Sequence, residues 1–216
     1  MIEILYRDPH IVVCLKPAGV LSQEGGEESM PQLLRRQLEA VEVYPIHRLD
    51  KAVGGVMVYA LDGAAAAALS KGVQDRTLEK TYLAVLCGIP AERAGVLEDL
   101  LFHDKLKNKT YVVRRLRKGV KPAKLEYTLL QTSNEESLVR VKLHTGRTHQ
   151  IRVQFASRKL PLVGDRRYGG KHTGEELGLW SYGLSFVHPI SGVPMTFDHR
   201  PPQTSLWEKY APFETA

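Results

Sequence analysis

Apolar positions fall in short runs of period two or nearly four along most of the chain, and Gly, Pro and acidic turns separate them. Ile2–Tyr6 and Ile11–Leu15 are rich in β-branched residues and predict two strands, the second closed by the turn Lys16-Pro17-Ala18-Gly19. A Gly/Glu-rich loop spans Ser22 to Ser29, after which Ser29 and Pro31 open a helix with Leu33, Leu34 and Leu38 on one face. Tyr44-Pro45 ends a short extended piece. Gly55–Leu61 predicts a strand, Asp62 caps an alanine-rich helix through Lys71, and Thr81–Cys87 predicts another strand. Beyond Gly88 a Pro/Gly-rich connection leads to Thr110–Leu116 and Ala123–Gln131, which alternate β-branched and charged residues like the two arms of one hairpin. Leu138–Leu143 continues the β pattern. After Thr145-Gly146 the period lengthens, so that Ile151, Phe155 and Ala156 share a helix face with Thr148 as the expected cap. Leu179–Val187 and Val193–Phe197 predict a final strand pair across Pro189-Ile190-Ser191-Gly192. The expected class is α+β: one domain over 1–216, with a large, mainly antiparallel mixed sheet flanked by helices and loops and a basic hairpin insertion at about 101–125.

With 216 residues, 43% of them hydrophobic and 25% charged, the chain can bury a core without metal or disulfide staples. Its two cysteines, Cys14 and Cys87, lie among apolar neighbours and suit reduced thiols in a cytoplasmic setting. The N-terminus lacks signal-peptide features, and no run approaches the ~20 apolar residues of a membrane span. Charge changes the picture more. Leu101–Leu125 holds nine basic residues against Asp104, and Arg140–Lys171 holds nine against Asp165. Each segment nets +8 while the whole chain nets +6, which leaves the remainder at −10. An acidic body with two basic segments points to a polyanion, and RNA or DNA is the expected partner.

Several common sites fail on spacing. Asp165 stands where a phosphate loop ending in Gly170-Lys171 needs its first glycine, and His172 where it needs Ser or Thr. There is no Gly-x-Ser-x-Gly, Cys-x-x-Cys or His-Glu-x-x-His, and His144 and His149 have no evident third ligand, so no metal site is expected. Two other stretches combine polar groups that could work together. Pro45-Ile46-His47-Arg48-Leu49-Asp50-Lys51 places a carboxylate in a loop just before the strand that begins at Gly54-Gly55. Leu143-His144-Thr145-Gly146-Arg147-Thr148-His149-Gln150-Ile151-Arg152 puts polar residues at a helix start, where Arg152 is either a bidentate partner for a buried carboxylate or a solvent-facing residue.

At full motif length these stretches resemble the RluA-type family of RNA pseudouridine synthases. His47-Arg48-Leu49-Asp50 with Gly55–Ala60 matches its catalytic-aspartate motif, and Lys80–Gly88 the strand that carries its active-site tyrosine. Leu143–Arg152 matches a third motif, and Leu162-Val163-Gly164-Asp165-Arg166-Arg167-Tyr168-Gly169 the segment after it. Asp8 with Val12–Gly19 fits the opening block. The chain departs from the family pattern at Val53-Gly54, where Thr-Ser usually precedes the glycine. The match begins by residue 8, which is expected for a short form without the small N-terminal RNA-binding domain.

The resemblance implies a redox-neutral isomerisation of uridine to pseudouridine in ribosomal or transfer RNA, with no cofactor, by a cytoplasmic monomer. It implies Asp50 as nucleophile or base, Tyr82 against the uracil, and Arg152 holding the Asp50 carboxylate ionised. RNA contacts are expected from His47, Arg48, Arg147, His149 and Gln150, and from Lys105, Lys107, Arg114 and Arg115 in the basic hairpin. The target base has to leave its stack to reach Asp50. Two other readings compete: a noncatalytic RNA-binding module, and a glycoside-cleaving enzyme using Asp50. The joint presence of Asp50, Tyr82 and Arg152 argues against the first. The second would need another carboxylate, which no motif marks.

Overall fold

The β-branched and aromatic runs form strands, as such side chains favour, in a computed structural model that describes residues 1–25, 28–171 and 176–210. Gly26 and Glu27 of the expected Ser22–Ser29 loop, and His172, lie outside the described residues. The chain divides into two compact units, Met1–Thr81 with Trp180–Pro201, and Tyr82–Leu179 with Pro202–Ala216.

In the first unit, β1 (Ile4–Arg7) and β2 (Ile11–Lys16) are antiparallel, and β2 pairs antiparallel with β4 (Gly54–Ala60) from Ile11↔Ala60 to Lys16↔Gly55. The two-residue β3 (Tyr44–Pro45) lies on β4. β10 (Leu179–Val187) runs parallel to β4, and β11 (Pro194–Asp198) returns antiparallel on β10. Every residue of β4 is buried, as expected of a strand covered on both faces. Ile11, Val13, Val56, Val58, Leu184 and Phe186 share a core with Leu69 and Leu78.

Helix α1 (Met30–Leu38) begins as predicted: Ser29 precedes it, its backbone N–H donates to Gln32 Oε1 at 3.1 Å, and Pro31 occupies the first turn. It buries Met30, Leu34 and Leu38, while Leu33 is only half-buried. Helix α2 (Gly63–Gln74) is capped by the Asp62 carboxylate, which accepts the Ala65 N–H at 2.8 Å, and it runs past the expected end at Lys71.

The departure at Val53-Gly54 has a steric reason. Trp180 and Ser181 lie beside Gly54 and Gly55 in the parallel register. A Cβ on Gly54 would stand 2.5 Å from Trp180 Cζ3, and one on Gly55, at φ +123°, would fall on the Ser181 carbonyl oxygen. The indole therefore fills the space that a serine side chain would need.

In the second unit the strand order is β5 (Glu79–Cys87), β9 (Glu136–Leu143), β8 (Val120–Ser133), β6 (Ala94–Asp104), β7 (Lys109–Val113). This corrects the expected hairpin. The strands at Thr110 and Ala123 do not pair; β6 lies between them and takes β7 on one edge (Leu100↔Val113 to Asp104↔Lys109) and β8 on the other. β6, in the stretch expected to be a connection, is the longest strand of this unit's sheet after β8. Helix α3 (Gln150–Ala156) follows β9, with Ile151, Val153 and Phe155 buried, and α4 (Ser205–Glu208) is a short turn near the C-terminus.

Candidate active site

In the first unit the sequence around Asp50 is held by its backbone. Ser22 Oγ accepts the Leu49 N–H at 3.2 Å and donates to Leu49 O at 2.9 Å, while the Tyr59 hydroxyl donates to Ser22 O at 3.0 Å. Asp50 O accepts the Val53 N–H at 2.9 Å, and Lys51 O accepts the Gly19 N–H at 2.7 Å. With Leu49 buried and its main chain fixed on both sides, Arg48 is exposed and Asp50 is half-buried. The turn that carries the Asp50 carboxylate is thus held by main-chain bonds on both sides.

Lys16, expected in a turn and in the opening block of the family pattern, lies against the Asp50–Lys51 turn. It is fully buried, and its Nζ donates to Pro17 O at 2.9 Å, Val20 O at 2.7 Å and Lys51 O at 3.2 Å. Burial pushes its pKa down to about 8, against which the negative charge of Asp50 acts to keep it protonated. The lysine thus braces the Asp50–Lys51 turn from below and places a cation in the field of the carboxylate. Because its folded pKa lies below the ordinary 10.5, the unfolded chain binds more protons between about pH 8 and 10.5, and stability rises with pH there. In Lys16→Met that rise is lost and buried carbonyls lose donors, so the variant is less stable by about 2 kcal/mol at pH 7. The gap to the wild type widens between pH 8 and 10 in urea unfolding. A gap that narrows would show that the ammonium is not buried as described.

His47 corrects an expectation. Instead of facing RNA it is buried, with Nε2 accepting the Val58 N–H at 3.4 Å. Burial, aided by the charge of Lys80, lowers its pKa to about 3, so the imidazole is neutral and supports β4 beneath Arg48 and Asp50.

Tyr82 and Arg152 belong to the second unit. Tyr82 is buried on β5. Arg152, on α3, donates from Nε to Asp165 Oδ2 at 2.8 Å and from Nη2 to Asp165 Oδ1 at 2.9 Å. The Asp165 side chain is wholly buried, and its Oδ1 also accepts the N–H groups of Arg167 (3.1 Å) and Tyr168 (3.2 Å). This two-pronged pair fixes the guanidinium plane. The sequence places Asp165 in the family segment Leu162–Gly169 but does not mark it as the partner of Arg152.

The entry to α3 also differs from expectation. His149, at φ 54°, takes the cap position expected of Thr148, and its Nδ1 lies 2.9 Å from the Tyr168 hydroxyl. Gln150 is buried: its Oε1 accepts the Arg147 N–H at 3.0 Å and the Thr145 hydroxyl at 2.8 Å, and its Nε2 donates to Lys124 O at 3.1 Å. Gln150 therefore shapes the loop rather than meeting RNA. Arg147 is only half-buried and donates to Pro122 O at 3.0 Å.

The two basic segments are not equivalent. Lys105, Lys107, Arg114, Arg115, Lys118 and Lys121 are exposed and make no ion pair among the described residues. In the later segment Arg152 pairs with Asp165, Arg158 with Asp99 at 2.8 Å and Lys171 with Glu135 at 3.3 Å, while Arg167 donates to Lys107 O and Asn108 O. The first segment is therefore the more open of the two, while in the second Arg152, Arg158 and Lys171 are ion-paired within the chain. Among the described residues no group of His, Cys, Asp and Glu is arranged for a metal ion, and no helix is long and apolar enough to cross a membrane.

Residues 10–157 match the family model described as RNA pseudouridylate synthase. An RNA pseudouridine synthase of Aquifex aeolicus is 34% identical, covering 94% of this chain and 70% of its own length. The dual-specificity RNA pseudouridine synthase RluA of Salmonella typhimurium is 34% identical, covering 90% of each chain. Among solved structures, human RNA pseudouridylate synthase domain containing 4 aligns with a TM-score of 0.78 at 24% identity over 96% of this chain and 90% of that one. Human RNA pseudouridylate synthase domain containing 1 aligns at 0.77 and 24%, over 94% and 84%. These two share the α+β fold.

Proposed function

From the premise that the chain belongs to the RNA pseudouridylate synthase family, of RluA type, we propose that it converts a flipped-out uridine of ribosomal or transfer RNA to pseudouridine, with Asp50 as the reacting carboxylate. It is an isomerase: the N1–C1′ bond breaks, C5 bonds to C1′, the uracil loses a proton at C5 and gains one at N1. The observation that carries the assignment of Asp50 is its place on a turn anchored through Ser22 and braced by buried Lys16, two residues after exposed Arg48. An ionised carboxylate serves either as nucleophile at C1′ or as base at the neighbouring carbon. Tyr82 packs against the uracil and assists loss of the C5 proton. Arg152 is assigned to the same reaction, and its pairing with Asp165 supports that role by fixing the guanidinium. Arg48 fills the space the target base leaves, which offsets part of the few kcal/mol of unstacking. The proposal includes a metal-free monomer acting in the cytoplasm.

The dual specificity in the name of the Salmonella relative is a reason to test both RNA classes. Unmodified ribosomal and transfer RNA are incubated with the protein, and pseudouridine is mapped by chemical labelling and sequencing. New pseudouridine at discrete positions is the expected result; none in either RNA overturns the proposal. The open stripe from Lys105 to Lys121 supplies affinity through phosphates, so binding weakens steeply with salt. Replacing Lys105, Arg114 and Arg115 together by alanine lowers the slope of log affinity against log salt by about two, measured by filter binding. An unchanged slope would place the RNA elsewhere.

A further inference from the structure

Tyr168 stands where three segments of the second unit meet. Its hydroxyl accepts the Thr110 N–H at 2.8 Å and lies 2.9 Å from His149 Nδ1. Thr110 is the second residue of β7, at the end of the hairpin whose turn carries Lys105 and Lys107, and His149 leads into α3. The ring faces two cations, with Lys109 Nζ 5.5 Å and Arg152 Cζ 5.3 Å from its centroid. Its backbone N–H donates to Asp165 Oδ1, the same oxygen that takes Arg152 Nη2.

Other bonds run along the same path. Thr110 Oγ1 donates to Thr148 O at 2.8 Å, and Arg167 Nη1 donates to Lys107 O at 3.0 Å and Asn108 O at 2.6 Å. The hairpin is an edge element: among the described residues β7 is the last strand of its sheet, with β6 as its one sheet neighbour. Its setting against α3 therefore depends on these few ties more than on a strand ladder. Thr110 is buried, so its N–H has no water to turn to if the phenol oxygen is removed.

We infer that Tyr168 is a positioning residue, whose hydroxyl couples RNA held on the β6–β7 hairpin to the setting of the Arg152 guanidinium. The inference rests on the reading of the activity given above. The contact path is short: Lys109 and Thr110 to Tyr168, Tyr168 to Asp165, Asp165 to Arg152. Burial raises the Tyr168 pKa, so the phenol keeps its proton and remains a neutral hydrogen-bonding group at physiological pH.

Tyr168→Phe keeps the ring and both cation contacts and removes only the hydroxyl. On an RNA that the wild type modifies, we expect the single-turnover rate at saturating RNA to fall about tenfold, as for a modest misplacement of a positioned group, with RNA affinity within about twofold. A role confined to folding would lower the unfolding midpoint and leave the rate of the folded fraction alone. Thr110→Val removes the parallel tie to Thr148 and is expected to act in the same direction, about threefold, which keeps the test open if the first variant folds poorly. A rate at saturation equal to the wild type in both variants, or a loss confined to affinity, overturns the positioning role. If the wild type itself forms no pseudouridine in any RNA, the reading of the activity fails first and this role fails with it; an active wild type matched by Tyr168→Phe removes this role alone.

Discussion

Asp50→Asn and Asp50→Ala lower pseudouridine formation by about 10⁴-fold or more while the protein still folds and still binds RNA. The size follows from asking one group to form or break bonds directly; without it no second carboxylate is marked to replace it. The survival of the fold follows from the surroundings. The turn is held by Leu49 main-chain bonds to Ser22 and by Lys51 O, which accepts from Gly19 and Lys16. None of these bonds uses the Asp50 side chain. Removing its charge does have one electrostatic consequence: the Asp50 carboxylate opposes the burial effect on Lys16, so the lysine titrates lower in the Asn variant. The check is a single-turnover assay beside RNA binding and thermal unfolding on the same preparations. Residual activity within tenfold of the wild type would take Asp50 out of the chemistry.

Most of the strands and both longer helices were legible because they bury one consistent set of side chains. β2, β4 and β10 are apolar almost throughout, and α1 and α2 carry local start signals in Ser29-x-Pro31 and Asp62. β6 was not legible, since its exposure follows no clean alternation and Gly95 interrupts its start. Once β6 was missed, β7 and β8 looked like partners, because period two gives the faces of a strand and not the neighbour it chooses. The aspartate and arginine of the site were visible as motif positions. Their supports were not: Asp165 is thirteen residues beyond Arg152, Lys16 sits at the end of an apolar run, and His47 beside an exposed arginine gave no sign that its ring is buried. A charged or polar residue in one dimension carries no record of whether it meets solvent, carbonyls or a counter-ion. The exposed basic stripe shows the same limit from the other side, because equal charge counts in two segments do not tell that Arg152, Arg158 and Lys171 of one are ion-paired within the chain.

Arg152→Met destabilises the protein by about 3–5 kcal/mol, because it strands the Asp165 carboxylate in a buried position without its counter-ion. The Asp165 side chain has no exposure and keeps only the N–H groups of Arg167 and Tyr168, too little to hold a charge out of water. Asp165→Asn placed on top of Arg152→Met removes the buried charge yet leaves an oxygen to accept those two N–H groups, so most of the lost stability returns. Activity does not return, since the guanidinium proposed for the reaction is still missing. Arg152→Lys gives the complementary case. It keeps a cation for Asp165 and so folds, but an ammonium cannot make the two parallel bonds that fix a guanidinium plane, and the single-turnover rate falls about 10²-fold. Urea unfolding and single-turnover assays on the three variants separate the two roles. Recovery of activity together with stability in the double variant would show that Arg152 serves the fold alone; continued instability would show that the buried pair is not what Arg152 contributes.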